Sequence, residues 1–204
     1  MDVSNTDSGE RLVKMALDSG AYAAKIIDAS CVVLDHRIRM KCQIPLCSGY
    51  NSNLTCPPFA MEVDEFAKSL EMYRSAIILQ VEADVNSLPK SDKKIGEEDY
   101  EEIYHAYCKH DKFKETLHNI VTLVESEAFK SGYYLATGLV GGRCRLCSVC
   151  VIQEGKKVCR HPFSARPPIE ALGIDVKRTC ENVGLELNLS SSENVKWTGI
   201  VLLE

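Results

Sequence analysis

Apolar positions at Leu12, Val13, Ala16 and Leu17 recur at helical spacing, with Gly20 as a stop, and predict a first amphipathic helix over residues 10–19. The run AAKIID at 23–28 predicts a first strand, and a segment through Met40 has helical character and leads into Cys42. From Cys42 to Phe59 the periodicity stops: CQIPLCSGYNSNLTCPPF is crowded with Pro, Ser, Asn and Gly and reads as loop. Helical spacing returns within 62–73 at Val63, Phe66, Ala67 and Leu70, and SAIILQV at 75–81 is aliphatic enough to predict a central strand.

A long helical pattern covers 96–130. GEEDYEE puts acids at the positive end of a helix dipole. The seam Tyr100, Ile103, Tyr104, Tyr107, Phe113, Leu117, Ile120, Val121, Val124, Ala128 slips in phase near 109–111, which predicts two helices or one kinked helix. YYLATGL at 133–139 reads as a strand that feeds through Gly138, Gly141 and Gly142 into a second break in the pattern, residues 141–162. Pro167 and Pro168 then precede Ile169, Leu172, Val176, Cys180 and Val183, a helical spacing closed by Gly184, and KWTGIVLL at 196–203 predicts a last strand. Interleaved strands and helices predict an α/β fold: a single layered domain over residues 1–204 with two cysteine-rich loops.

Composition narrows the class. With 45% apolar and 26% charged residues the chain reads as a soluble globular protein, and a net charge of -5 argues against coating nucleic acid. The polar, acidic start MDVSNTDSGE lacks the plan of a secretory signal and no apolar run approaches a membrane span, so a cytoplasmic protein without membrane attachment is expected. In a reducing compartment ten cysteines are not a disulfide framework, and thiols so dense point to metal ligation.

Their spacing points to the metal. Cys144, Cys147 and Cys150 follow C-x2-C-x2-C, and Cys159 comes eight intervening residues later. Three thiolates in such short register can wrap one face of an iron–sulfur cube, whereas zinc more often takes two separated C-x2-C pairs. The first loop offers Cys42, Cys47 and Cys56 as C-x4-C-x8-C, with Pro57 and Pro58 following as proline follows the remote ligand of bacterial ferredoxin patterns. Either Cys56 or Cys159 therefore completes the Cys144, Cys147, Cys150 set. In the second case Cys42, Cys47 and Cys56 hold a second centre with a non-cysteine ligand, for which His161 is a candidate. Cys31, Cys108 and Cys180 stand in apolar or helical contexts and read as core.

Residues 143–166 carry six basic side chains and one acid, a local charge of +5. Arg143, Arg145, Arg160 and Arg166 are the expected cofactor-binding cations, since positive charge stabilises a thiolate-ligated cluster. A solvated basic face, or a dock for an acidic redox partner or a phosphate-bearing ligand, reads from the same residues. Tyr133, Tyr134, Arg166 and Glu170 are candidates to line a pocket.

The blocks KCQIPLCSGYNSNLTCPPF, GYYLATGLVGGRCRLCSVC and VCRHPFSARPPIEALGIDV resemble small prokaryotic proteins, frequent in anaerobes, described as predicted metal-binding proteins. The resemblance spans most of residues 36–183 and implies metal-ligand roles for Cys42, Cys47, Cys56, Cys144, Cys147, Cys150 and Cys159. It implies no particular reaction.

Three functions fit these readings. The first is an electron-transfer or redox-accessory protein with one or two 4Fe-4S clusters, serving a protein redox partner. The second is a cluster-dependent enzyme with an open iron or a second cofactor such as a corrinoid or flavin. The third is a zinc-stabilised interaction module. C-x3-C-x2-C, G-x-G-x-x-G, G-x4-G-K-[ST], H-E-x-x-H and G-x-S-x-G are all missing, which removes support for radical chemistry with S-adenosylmethionine, for the common nucleotide folds and for the usual hydrolases.

Overall fold

Helices seal both faces of a four-stranded sheet, and the composition of its strands follows from that. A computed structural model describes residues 3–83, 112–187 and 195–204. The elements are α1 (Val3–Asp18), β1 (Ala23–Asp28), α2 (His36–Met40), α3 (Val63–Leu70), β2 (Ser75–Ala83), α4 (Lys112–Lys130), β3 (Thr137–Val140), α5 (Val176–Asn182) and β4 (Val195–Leu203). The sheet order is β1-β2-β4-β3, and every neighbouring pair is antiparallel. The two central strands run in register from Ser75 opposite Leu203 to Ala83 opposite Val195.

Successive side chains leave a strand on opposite faces. On one face Ile77, Leu79, Val81, Val201 and Leu203 pack against Leu12 and Ala16 of α1 and Leu117, Val121 and Val124 of α4. On the other, Ala76, Ile78, Ile200 and Leu202 meet Phe66 and Leu70 of α3, Cys180 of α5, and Ile169, Leu172 and Ile174, which precede α5. A strand covered on both sides must be apolar at nearly every position, which is why SAIILQV reads as a run and not as an alternation. Each large aliphatic side chain buried this way contributes about 1.5–3 kcal/mol. Gln80 interrupts the run, and its Nε2 donates to the Glu186 carbonyl oxygen at 3.0 Å, so the buried amide is satisfied.

Helix α4 lies against β4 at very short range. A Cβ at Gly199 would stand 2.5 Å from Val121 Cγ2 and 3.2 Å from Leu117 Cδ1, both on fully buried side chains with no room to retreat. Gly199→Ala is therefore expected to lower stability by about 1–3 kcal/mol. The check is denaturant unfolding of the variant beside the parent, and an unchanged midpoint would contradict this packing.

Several element boundaries differ from the sequence pattern. α1 starts at Val3, a polar stretch ahead of its apolar seam. β3 begins only at Thr137, because Tyr133 to Ala136 close a turn (Ala136 N–H to the Tyr133 carbonyl, 3.1 Å) and Leu135 N–H is taken by Glu204 Oε1 at 3.0 Å. The helix expected from Ile169 to Val183 is broken in two. A 3-10 turn at Glu170–Leu172 ends at Gly173, whose φ of +81° favours glycine, Ile174 bridges to Leu34, and Asp175 caps α5 by accepting from Arg178 N–H at 3.1 Å. The helical spacing there arose from residues that all face one core across three different local structures. Residues 96–111, with the expected kink and Cys108, lie outside the described residues. Among those described, no helix is long and apolar enough to cross a membrane.

Candidate metal centre

Both cysteine loops are excursions whose ends are tied by hydrogen bonds. The first leaves α2, which is capped by the Asp35 carboxylate accepting from Arg37 N–H at 2.8 Å. Arg39, on the last turn of α2, is buried. It donates through Nη2 to Glu62 Oε1 at 3.0 Å and through Nη1 to the Ala171 carbonyl, so one guanidinium fixes both ends of the loop and its floor. Inside the loop, Cys47 N–H bonds the Cys42 carbonyl at 3.1 Å, Cys56 N–H the Asn53 carbonyl at 3.0 Å and Asn51 N–H the Pro57 carbonyl at 2.8 Å. Loop backbone this well bonded holds its side chains in place without regular secondary structure.

The second loop leaves the end of β3 and returns beside it. Val140 N–H donates to the Pro167 carbonyl at 3.1 Å and Ile169 N–H to the Val140 carbonyl at 2.9 Å, so residues 141–166 bulge from a stitched base. Gly142 N–H reaches both Glu170 oxygens, at 3.1 and 3.3 Å. Burial pushes the Glu170 carboxyl above its usual value, against the pull of backbone donors and Lys114. The returning segment is held to α4 twice. His118 Nε2 lies 2.7 Å from the Ser164 carbonyl, and Arg166 forms an ion pair with Glu125, whose carboxylate also accepts from Gly138 N–H at 2.9 Å. A carbonyl can only accept, so Nε2 of His118 carries the proton, and burial keeps the ring neutral by lowering its pKa.

The two loops pack on each other. Buried Asn53 accepts from Thr55 N–H at 3.1 Å and donates through Nδ2 to the Cys144 carbonyl at 2.9 Å. Gln153 donates to the Ser52 carbonyl at 2.9 Å, and Leu54 N–H points at Cys150 Sγ at 3.5 Å.

Burial and neighbouring thiols act on three of the seven thiols. The Cys56 thiol is pushed up to about 12, first by burial and then by like-charge repulsion from Cys47 and Cys42, with a hydrogen bond to Thr55 and the charge of Arg143 opposing. Cys42 is raised by burial and by Cys47. Cys144 is raised by burial and then, after the opposing bond from Leu146 N–H, by Cys159, Cys147 and Cys150. Cys56 thus lies in the field of Cys42 and Cys47, and Cys144 in that of Cys147, Cys150 and Cys159. Arg143 stands between them, with its Cβ and Cys56 Sγ both close to Gly49.

Backbone donors face four of the seven sulfurs. Gly49 N–H meets Cys47 Sγ at 3.5 Å and His161 N–H meets Cys159 Sγ at 3.3 Å, while Leu146 N–H bonds Cys144. Each of these turns places the amide of residue i+2 against the sulfur of residue i. The fourth is the Leu54 amide across the loop interface. Arg160 adds a side-chain donor to Cys147 and holds Glu154 and the Val149 carbonyl as well. Among the described residues, no three His, Cys, Asp or Glu side chains converge closely enough to seat one metal ion.

The other expected residues are distributed unevenly. Arg143 and Arg145 line a pocket beside the second loop, Arg160 lies against Cys147, and Arg166 turns inward to Glu125, away from the thiols and not toward Glu170. His161 contributes its backbone amide, with an exposed side chain. Tyr133 is buried in the α1 and α4 core, and Tyr134 is exposed. Cys180 is fully buried and Cys31 packs against the same core. Sequence reading missed Arg39, Asn53, Lys114 and His118. Asn53 had a readable signal in Asn-Leu-Thr, an Asx-turn pattern, whereas the other three became meaningful only through the elements they touch.

The family model described as "Predicted metal-binding protein (DUF2284)" matches residues 25–203, in agreement with the resemblance carried by the cysteine blocks. No curated protein and no solved structure matches the chain.

Proposed function

The chain belongs to the predicted metal-binding protein family DUF2284, and from that premise we propose that it is an iron–sulfur protein with two 4Fe-4S centres that exchanges electrons with a protein partner. Cys144, Cys147, Cys150 and Cys159 would hold one centre, and Cys42, Cys47 and Cys56 the other. The observation that carries this reading is that Cys144 stands in the field of Cys147, Cys150 and Cys159, and Cys56 in that of Cys42 and Cys47, with backbone amides aimed at four of the seven sulfurs.

The donor sets fit such centres. A cube of iron and sulfide presents its ligand positions at separate corners, so its thiolates stand apart around it, whereas a single zinc ion needs its ligands to meet at one point. Cys144, in the field of three further cysteines, suits the first arrangement. A cluster bound there would supply reversible one-electron transfer. The chain's own part is electrostatic: the amides of Gly49, Leu54, Leu146 and His161 and the guanidinium of Arg160 stabilise negative charge on sulfur and so favour the reduced state. Burial holds Cys42, Cys56 and Cys144 protonated in the metal-free chain, so loading must release protons and weakens as pH falls.

Exposed apolar side chains flank the thiols: Ile44 and Leu46 beside Cys47, Val158 beside Cys159, and Phe163, which is 90% exposed. Apolar groups left in water around a candidate redox site support a protein partner rather than a freely diffusing acceptor.

The test is anaerobic purification followed by iron, acid-labile sulfide and zinc analysis, with paramagnetic resonance of the reduced sample. About eight irons and eight sulfides per chain are expected for two 4Fe-4S centres. Zinc near one equivalent without sulfide would replace this reading with a zinc-stabilised module.

A further inference from the structure

A pocket of about 570 Å³ opens between α4 and the second cysteine loop. One wall is Gly141 and the run from Arg143 to Ser148 with Cys150 and Gln153, and the facing wall is Lys114, Glu115, His118 and Asn119 on α4. Its size falls within the few hundred to about 1,000 Å³ typical of small-molecule sites. Its charge is distinctive. Among the described residues, Lys114, Arg143 and Arg145 line it against one lining acid, Glu115, and neutral His118 adds no charge.

Lys114 is the least expected of these cations. It is a buried residue whose ammonium lies 4.4 Å from the centre of the Trp197 ring and 5.4 Å from that of Phe113, so aromatic faces hold its stem and head at the pocket wall. Lys114, on the helix that faces the sulfur wall, also stands in the field of the buried Glu170 carboxylate.

We propose that this pocket binds a small molecule carrying a dianionic phosphate group, with Lys114, Arg143 and Arg145 as its recognition set. Two guanidinium forks and an ammonium around one cavity suit three phosphate oxygens better than a single carboxylate. The polar groups of Asn119 and Ser148 and the Nδ1 acceptor of neutral His118 remain to contact the body of the ligand. The wall shared with Cys144, Cys147 and Cys150 places that ligand next to the four-thiol set. The inference does not depend on which metal those thiols hold.

The test is calorimetric titration of anaerobically purified protein with AMP, with inorganic phosphate and acetate as competitors and iron assayed in the same sample. AMP should bind, and phosphate should displace it where acetate at equal concentration does not. Lys114→Met should weaken binding at least tenfold with iron content unchanged, and Arg145→Gln should also weaken it at least tenfold, while Lys156→Met, a cation of the same loop paired with Glu154 outside the pocket, should leave it unaltered. Failure of iron-containing protein to bind AMP or phosphate would overturn the inference and leave the cluster reading standing. Equal loss in Lys156→Met, or equal competition by acetate, would also overturn it. Binding by a sample that holds no iron would support the pocket and sink the cluster reading instead.

Discussion

Cys159→Ala is expected to remove about half of the iron and acid-labile sulfide, leaving about four irons per chain with Cys42, Cys47 and Cys56, and Cys56→Ala is expected to do the converse. The reason is the partition of the thiols. Cys144 responds to Cys159, Cys147 and Cys150, and Cys56 responds to Cys47 and Cys42, although the loops that carry them share hydrogen bonds. Alanine is the informative replacement because a serine oxygen can still act as a ligand. Iron and sulfide analysis of both variants, with far-UV circular dichroism as a folding control, reads the result directly. If Cys56→Ala empties the C-x2-C-x2-C site while Cys159→Ala leaves it intact, the sets are wrongly drawn and a single centre spans the loops.

Spacing alone left this choice open, and the reason is physical. C-x2-C-x2-C declares its own proximity because the chain between its thiols is too short to separate them. Cys56 and Cys159 lie far along the chain from that motif, and which one approaches it depends on how two loops are anchored. The anchors are Arg39, which clips the first loop to Glu62 and Ala171, and the Val140 to Ile169 stitch that returns the second loop to its origin. Neither has a local sequence pattern.

The sheet was more legible. AAKIID matches β1 residue for residue and KWTGIVLL lies within β4, since a buried strand needs an apolar run that few other structures tolerate. Its antiparallel order was not legible, because pairing partners are set by the packing of whole layers. The segment 169–183 misled for a related reason: its apolar residues reach one core from a 3-10 turn, a bridge and a short helix, and helical spacing is a property of the face they share.

The ion pair between Arg166 and Glu125 is expected to matter most for stability. Both side chains are largely buried, at 9% and 18% exposure, and they join α4 to the returning segment of the second loop and, through Gly138 N–H, to β3. Removing one partner of a buried pair strands the other charge, so Glu125→Ala should cost about 3 kcal/mol, the lower end for such pairs because Glu125 keeps some solvent.

Arg166→Met should cost a similar amount at neutral pH, but the two losses should diverge with acid. Burial already raises the Glu125 carboxyl above its ordinary value, against the Gly138 amide and the guanidinium, and removing Arg166 raises it further. A group raised in the folded state binds more protons there than when unfolded. Its favourable contribution is present below the unfolded pKa and is lost as pH rises through the folded one. Lowering the pH from 7 toward 5 should therefore restore part of the stability missing in Arg166→Met. It should restore none in Glu125→Ala, where no carboxyl remains at this site to take up a proton. Denaturant unfolding of both variants and the parent at the two pH values makes the comparison, and parallel losses across that range would show that the pair is not buried as described.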